Sequence, residues 1–268
     1  MRAARWTAIV FLAVVFAASL AANYLAPAPY ARQFRDAPDA APSAQHWLGT
    51  DDLGRDRFSR LLYGTRISLL MAPAAALVTC ALAGVLGGVA GFAGGWLETA
   101  IMAATDLFLS MPWLFLLIAV RACLPLNVSP LASVAITFLL LGCLGWAAAA
   151  RVVCADARAL REAEFVLLAR AQGCGGWRLW RRHLVPNLMP VLLAQFWIAV
   201  PVFILAEANL GILGLGVCEP LPSWGSLLRE LEGFSLYAAQ PWLFAPLVLL
   251  LLTVSSFQLA LEKQEVQG

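Results

Sequence analysis

Six runs of mostly apolar residues divide this 268-residue chain, near 7–26, 69–93, 99–120, 131–150, 190–215 and 241–260. Each approaches or exceeds the roughly 20 residues a helix needs to cross a hydrocarbon core. Inside a bilayer the backbone has no water to bond, so each separate run must satisfy its own amides as a helix. The pattern predicts an all-α membrane protein with six transmembrane helices. Composition agrees: 62% of residues are hydrophobic and 13% charged, against about half and one-quarter in soluble domains. A formal net charge of +2, with the arginines dispersed, argues against a nucleic-acid partner.

Several chemistries lack their residues. Of 18 basic side chains only Lys263 is lysine, so no G-x-x-x-x-G-K-[ST] loop is available to bind ATP. The six cysteines, Cys80, Cys123, Cys143, Cys154, Cys174 and Cys218, form no C-x-x-C pair, and most lie in apolar runs as packing residues. His46 and His183 have no ligand-like spacing with them, so no metal site is expected. No H-E-x-x-H or G-x-S-x-G motif suggests an intramembrane enzyme.

Arg2 and Arg5 precede the first run, which reads either as a retained span or as a cleaved signal peptide. In both cases residue 27 onward lies outside the cytoplasm. Parity then places 27–68, 121–130 and 216–240 outside, and 94–98 and 151–189 inside. The inner loop 151–189 holds seven arginines, as the positive-inside rule expects, but the outer segment 27–68 holds six. The charge bias therefore favours this orientation only mildly. Residues 26–45, rich in Ala and Pro, read as an extended connector. Gly84, Gly87, Gly88, Gly91, Gly94 and Gly95 crowd the end of the second run, where small residues allow close helix packing.

The loop 151–189 is too long to be a simple link. Residues 152–172 have helical composition, "GCGG" at 173–176 is a breaker, and "WRLWRRH" leads to Pro186 at the start of the fifth run. Phe165, Leu168, Ala169 and Gln172 share one helical face, with Leu167 and Ala171 beside it. Such a face suits either a groove on a partner protein or the lipid surface, with arginines reaching the phosphates. Asp106 and Glu207 fall inside apolar runs, where a carboxylate is costly. Each is a candidate for a pathway or gating role, or a packing group bonded to Thr105, Ser110 or Asn209. In the outer segment Asp51, Asp52, Arg55, Asp56, Arg57 and Arg60 alternate in sign. They form a solvated or mutually paired surface, or a contact for another protein. Trp224 reads as an interfacial anchor.

Residues 46–70, "HWLGTDDLGRDRFSRLLYGTRISLL", resemble a segment of the C-type permease subunits of dipeptide, oligopeptide and nickel ABC importers. The G-T-D-x-L-G-R-D-x-x-S-R-L-x-Y-G-x-R-x-S pattern is met by Gly49, Thr50, Asp51, Leu53, Gly54, Arg55, Asp56, Ser59, Arg60, Tyr63, Gly64, Arg66 and Ser68. Ala169, Arg170, Ala171, Gly173, Pro186 and Asn187 match that family's coupling (EAA) loop. "LAEANLGILGLGVCEPLPSWGSLL" at 205–228 resembles its A-E-A-x-L-x-F-L-G-L-G and P-x-x-W-G block. The loop departs from the family at Leu167, where the name-giving glutamate is usual, and at Leu168, Gln172 and Val185. The tail "LEKQEVQG" also differs.

The resemblance implies a MetI-like type I ABC importer permease fold with a cytoplasmic coupling loop, in the bacterial cytoplasmic (inner) membrane. Its implied divisions are 1–45, an N-terminal span and connector; 46–68, the extracytoplasmic motif; 69–260, a five-helix core with coupling loop 151–189; and 261–268, the tail. It implies a sister permease, two ABC ATPase subunits and an extracytoplasmic solute-binding protein as partners. ATP and Mg would be bound by the ATPases, leaving this chain without cofactor or catalysis. Coupling would fall to Phe165, Leu167, Leu168, Ala169, Arg170, Ala171, Gly173, Pro186 and Asn187. Asp106, Glu207 and Asn209 are the pathway candidates, and Asp51, Arg55, Asp56 and Arg60 mark the outer segment. Di- or oligopeptides are the expected cargo, with nickel or another small solute as the alternative. A stand-alone proton-coupled transporter is the rival class.

Overall fold

A computed structural model describes residues 2–125, 128–232 and 240–261; the tail 262–268, with Lys263, lies outside them. Every regular element in the described residues is helical. They are α1 (Arg2–Leu20), α2 (Ala22–Leu25), α3 (Arg57–Ala93), α4 (Gly95–Ser110), α5 (Trp113–Cys123) and α6 (Pro130–Leu144). There follow α7 (Trp146–Glu162), α8 (Glu164–Ala171), α9 (Gly176–Leu179), a π-helical turn (Trp180–Leu184), α10 (Val185–Ile212), α11 (Trp224–Arg229), two 3-10 turns (Glu230–Glu232 and Pro241–Phe244) and α12 (Ala245–Leu261). Five helical stretches among them are long and apolar enough to cross a membrane, and the bent pair α4–α5 makes up to six.

Three expectations change. The run 99–120 is not one straight span: α4 and α5 meet at 85°. Pro112 has no amide proton and pushes the residue before it into extended backbone, and Met111 sits at φ −88°, ψ 134°. The second run is the inner part of a longer helix, since α3 begins at Arg57 and extends 37 residues. At 1.5 Å per residue that is about 55 Å, well beyond a hydrocarbon core of about 30 Å. The Ala- and Pro-rich stretch 26–45 is no extended connector. It folds back on the motif after it, with Phe34 N–H donating to Gly54 O (2.8 Å), Asp39 N–H to Asp51 O (2.9 Å) and Thr50 N–H to Ala40 O (3.0 Å).

The chain forms two compact units. One comprises 1–72, 121–138 and 201–268; the other comprises 73–120 and 139–200. In the first, α1 packs along α12. The second has a core of Ala83, Ala149, Ala150, Val153, Ala157, Leu184 and Leu188. There α3 and α7 touch through backbone: a Cβ on Gly87 would lie 2.3 Å from Ala150 O, and one on Gly91 2.3 Å from Cys154 O. Only glycine permits that approach, which is the packing use the glycine-rich run suggested.

Candidate functional site

The segment 151–189 lies in the second unit. The helix expected over 152–172 is interrupted at Ala163, whose ψ of 141° breaks it into α7 and α8. Ala163 O then accepts from the Val166 and Leu167 amides (2.9 and 3.1 Å), starting α8 afresh. Glu164 in its first turn and Arg170 in its last complement the helix dipole. The helix closes through Gly173 at φ 79°. Gly173 N–H donates to Arg170 O (2.9 Å) and Cys174 N–H to Ala169 O (3.0 Å). This crossed pair is a Schellman cap, which needs a left-handed residue and so favours glycine.

The short helix is anchored on one side and open on the other. Val166 is buried, whereas Phe165, Leu167 and Leu168 are 44%, 50% and 61% exposed. The Arg170 guanidinium stacks 5.1 Å from the Phe92 ring centroid, pinning the helix to the end of α3. Phe165 faces His183 with ring centroids 6.2 Å apart. Ala169 is partly covered, and Ala171 is exposed. Past α9, Asn187 Nδ2 donates to His183 O (2.5 Å). Val185 N–H reaches Trp180 O across the π turn. The wider turn lies immediately before Pro186, which has no amide to donate backwards. Val166 and Phe92 were not singled out in the sequence, and His183 only as a metal ligand without partners, since a buried valine between exposed neighbours leaves no pattern in an eight-residue helix.

The motif at 46–68 lies in the first unit, and its local folding follows from its residues. Asp51 Oδ1 accepts the Leu53 and Arg55 amides (3.0 and 2.7 Å), an Asx turn. Asp56 caps α3, its Oδ1 accepting Ser59 N–H (2.7 Å), while Oδ2 meets His46 Nδ1 at 2.8 Å. One turn into α3, Arg60 is fully buried. Its Nη2 and Nη1 donate to the two oxygens of Glu219 (2.9 and 3.2 Å), and Nη2 also reaches Glu230 at 3.4 Å. Its Nε lies 3.6 Å from Asp51. Arg55 bonds both Asp51 and Glu219 (2.6 Å each), and Arg57 bonds Glu230 (2.6 Å). Burial pushes the Glu219 carboxyl up, but Arg60 and Arg55 outweigh it and hold the carboxyl below its ordinary range. The cluster is a clamp between the motif and the chain around Glu219 and Glu230. Asp51, Arg55 and Arg60 are therefore mutually paired and buried, Asp56 is buried against His46, and Asp52 remains exposed.

Of the two candidate acids, Asp106 is largely exposed and ion-paired with Arg151. Thr105 and Ser110 bond backbone carbonyls of their own helix, Ile101 O and Leu107 O. Glu207 is fully buried, and its Oε2 accepts from Ser68 Oγ (3.3 Å). Ser68 Oγ also accepts Trp224 N–H (3.3 Å), so Glu207 links α10, α3 and the start of α11. Asn209 points outward. Trp224 is no interfacial anchor: it is fully buried and donates from Nε1 to Thr65 Oγ1 (2.9 Å).

A family model described as "Binding-protein-dependent transport system inner membrane component" matches residues 83–262. The chain belongs to this family. It is 33% identical over 248 residues to the dipeptide transport system permease protein DppC of Bacillus subtilis, covering 92% of this chain and 75% of that one. It is 36% identical over 220 residues to the oligopeptide transport system permease protein OppC of the same species, covering 82% and 70%. It is 33% identical over 250 residues to the glutathione transport system permease protein GsiD of Pectobacterium atrosepticum, covering 93% and 81%. The chain is thus an all-α, multi-pass permease subunit of an ABC transporter in the inner membrane. Such a subunit is part of a transport system with partner subunits and is not itself a catalytic enzyme.

In this permease the clamp joins two blocks that sequence reading kept apart. Glu219 and Glu230 are 159 and 170 residues beyond Arg60. Neither carried a signal of its own, because a charge at a loop position is ordinarily solvated. The sole hint was the excess of arginine in a segment where the topology rule disfavours it.

Proposed function

We propose that this permease forms one half of the membrane pathway of an ATP-driven importer of di- or oligopeptides. A sister permease supplies the other half, an extracytoplasmic binding protein delivers the solute, and two ABC ATPases bind ATP and Mg on the cytoplasmic side. Phe165, Leu167, Leu168, Ala169, Arg170, Ala171, Gly173, Pro186 and Asn187 form or frame the coupling element in this reading. The observation that carries it is α8: three apolar side chains held outward on a short helix with fixed ends. A helix of that kind suits a groove on a partner protein. The peptide cargo rests on the names of the relatives, which are dipeptide, oligopeptide and glutathione permeases.

ATP-driven movement requires α8 to interact differently with the open and closed ATPase pair, because equal affinity would shift no equilibrium. Leu167, in place of the usual loop glutamate, makes that contact more apolar. Asp106 and Glu207 serve packing in this reading, since each already has a partner. The test is the assembled transporter in vesicles carrying Phe165→Asp and Leu168→Asp. Peptide uptake is expected to fall at least about tenfold, while the permease still inserts and the ATPases still hydrolyse ATP. Uptake at the wild-type rate would remove α8 from the mechanism. Wild-type transporter that takes up nickel but no peptide would overturn the cargo alone.

A further inference from the structure

A cleft of about 540 Å³ opens in the first unit where the first membrane helix ends. Its lining includes Tyr24, Leu25, Arg32, Phe34, Gln45 and Trp47. The floor is anchored by Ala28 N–H donating to Ser59 Oγ (3.3 Å). Trp47 is braced against Phe58, with ring centroids 4.8 Å apart, yet remains 58% exposed. Tyr24 and Leu25 are also exposed. The Arg32 guanidinium lies 4.8 Å over the Phe34 ring. Among the described residues no carboxylate lies within ion-pair distance of it, unlike Arg55, Arg57 and Arg60 nearby in sequence.

Depth in the membrane narrows what fills such a cleft. The apolar span Ala3–Leu20 has 18 residues, about 27 Å of helix against a hydrocarbon core of about 30 Å. Residues 21–32 then stand at headgroup level, where tyrosine and tryptophan are favoured. A planar guanidinium offers paired N–H groups to phosphate oxygens. The exposed faces of Tyr24, Leu25 and Trp47 would stay wet around a free anion but are covered by a glycerol backbone and the first methylenes of its chains. We propose that this cleft is a phospholipid site. Arg32 takes the phosphodiester, and Trp47, Tyr24 and Leu25 hold the glycerol end of the acyl chains. The site is separate from α8 and does not depend on the cargo or on the coupling mechanism.

The complete transporter is placed in phosphatidylethanolamine vesicles doped with a photoactivatable phosphatidylglycerol, irradiated and mapped by peptide mass spectrometry. Label is expected on residues 24–47. It is expected to fall at least about tenfold in Arg32→Gln and to drop in Trp47→Ala. Arg32→Gln should leave the melting temperature unchanged, because its side chain projects from the surface, whereas Trp47→Ala also loses the Phe58 contact and is read against its own melting temperature. Millimolar inorganic phosphate is expected to leave labelling intact. Equal labelling in Arg32→Gln overturns the proposal. So does displacement by inorganic phosphate, which marks a site for a soluble anion. A photoreactive residue at position 47 that captures the sister permease or a binding protein instead of lipid would also overturn it.

Discussion

Removing the Arg60 side chain would leave Asp51, Glu219 and Glu230 facing one another without their common cation. Arg55 would still hold Asp51 and Glu219, and Arg57 would still hold Glu230, so each acid keeps one cation while the cluster loses the buried group that joins them. Arg60→Ala is expected to destabilise the permease by about 1–3 kcal/mol, read as thermal unfolding in detergent. Glu219→Gln is expected to cost less, because Arg60 keeps Asp51 and Glu230 and Glu219 itself is half exposed. An unchanged melting temperature in Arg60→Ala would mean the cluster is not stabilising. Acid should act on the same cluster. The folded-state pKa of Glu219 lies below its unfolded value. Its contribution is therefore complete above the ordinary glutamate value of about 4.3, and is lost as pH falls through the lower folded value. The stability gap between wild type and Glu219→Gln should stay constant near neutrality and close in acid. At this scale the sequence was half legible. The charge pattern showed Asp51, Arg55, Asp56 and Arg60 as a paired or solvated set, but not Asp56 as a cap or Asp51 as a turn residue, and the partners of Arg60 are far along the chain.

Helix pairing in the second unit depends on two glycines where α3 meets α7. Gly87→Val is expected to cost about 1–3 kcal/mol, since its Cβ falls on a backbone oxygen that cannot turn aside. Gly88→Ala, whose Cβ would lie 3.6 Å from the nearest atom, a Leu188 methyl, should be tolerated. Equal melting temperatures for the two variants would disprove the close approach. Elements were mostly readable from hydropathy, because length and apolarity are the same in water and in lipid. The failures were breaks. Ala163 carries no breaker chemistry, yet α7 ends there and α8 starts anew. Met111–Pro112 was a readable stop, but an unbroken apolar count across 99–120 concealed it.

For the whole molecule, membership of the binding-protein-dependent permeases makes transport a property of an assembly. The purified chain reconstituted alone is expected to show no uptake of peptide on a proton gradient, and robust uptake of that kind would restore the secondary-transporter reading. Sequence alone determined the membrane class, the all-helical architecture and the family. These rest on apolar length, which the bilayer enforces, and on short motifs legible as strings of residues. Tertiary structure decided what could not be local. Trp224 and Glu207 went to the interior, the alternating charges of the outer motif became a buried clamp, and Phe165, Leu167 and Leu168 were left outward. Burial and pairing depend on which distant residue arrives opposite, and no count along the chain contains that information.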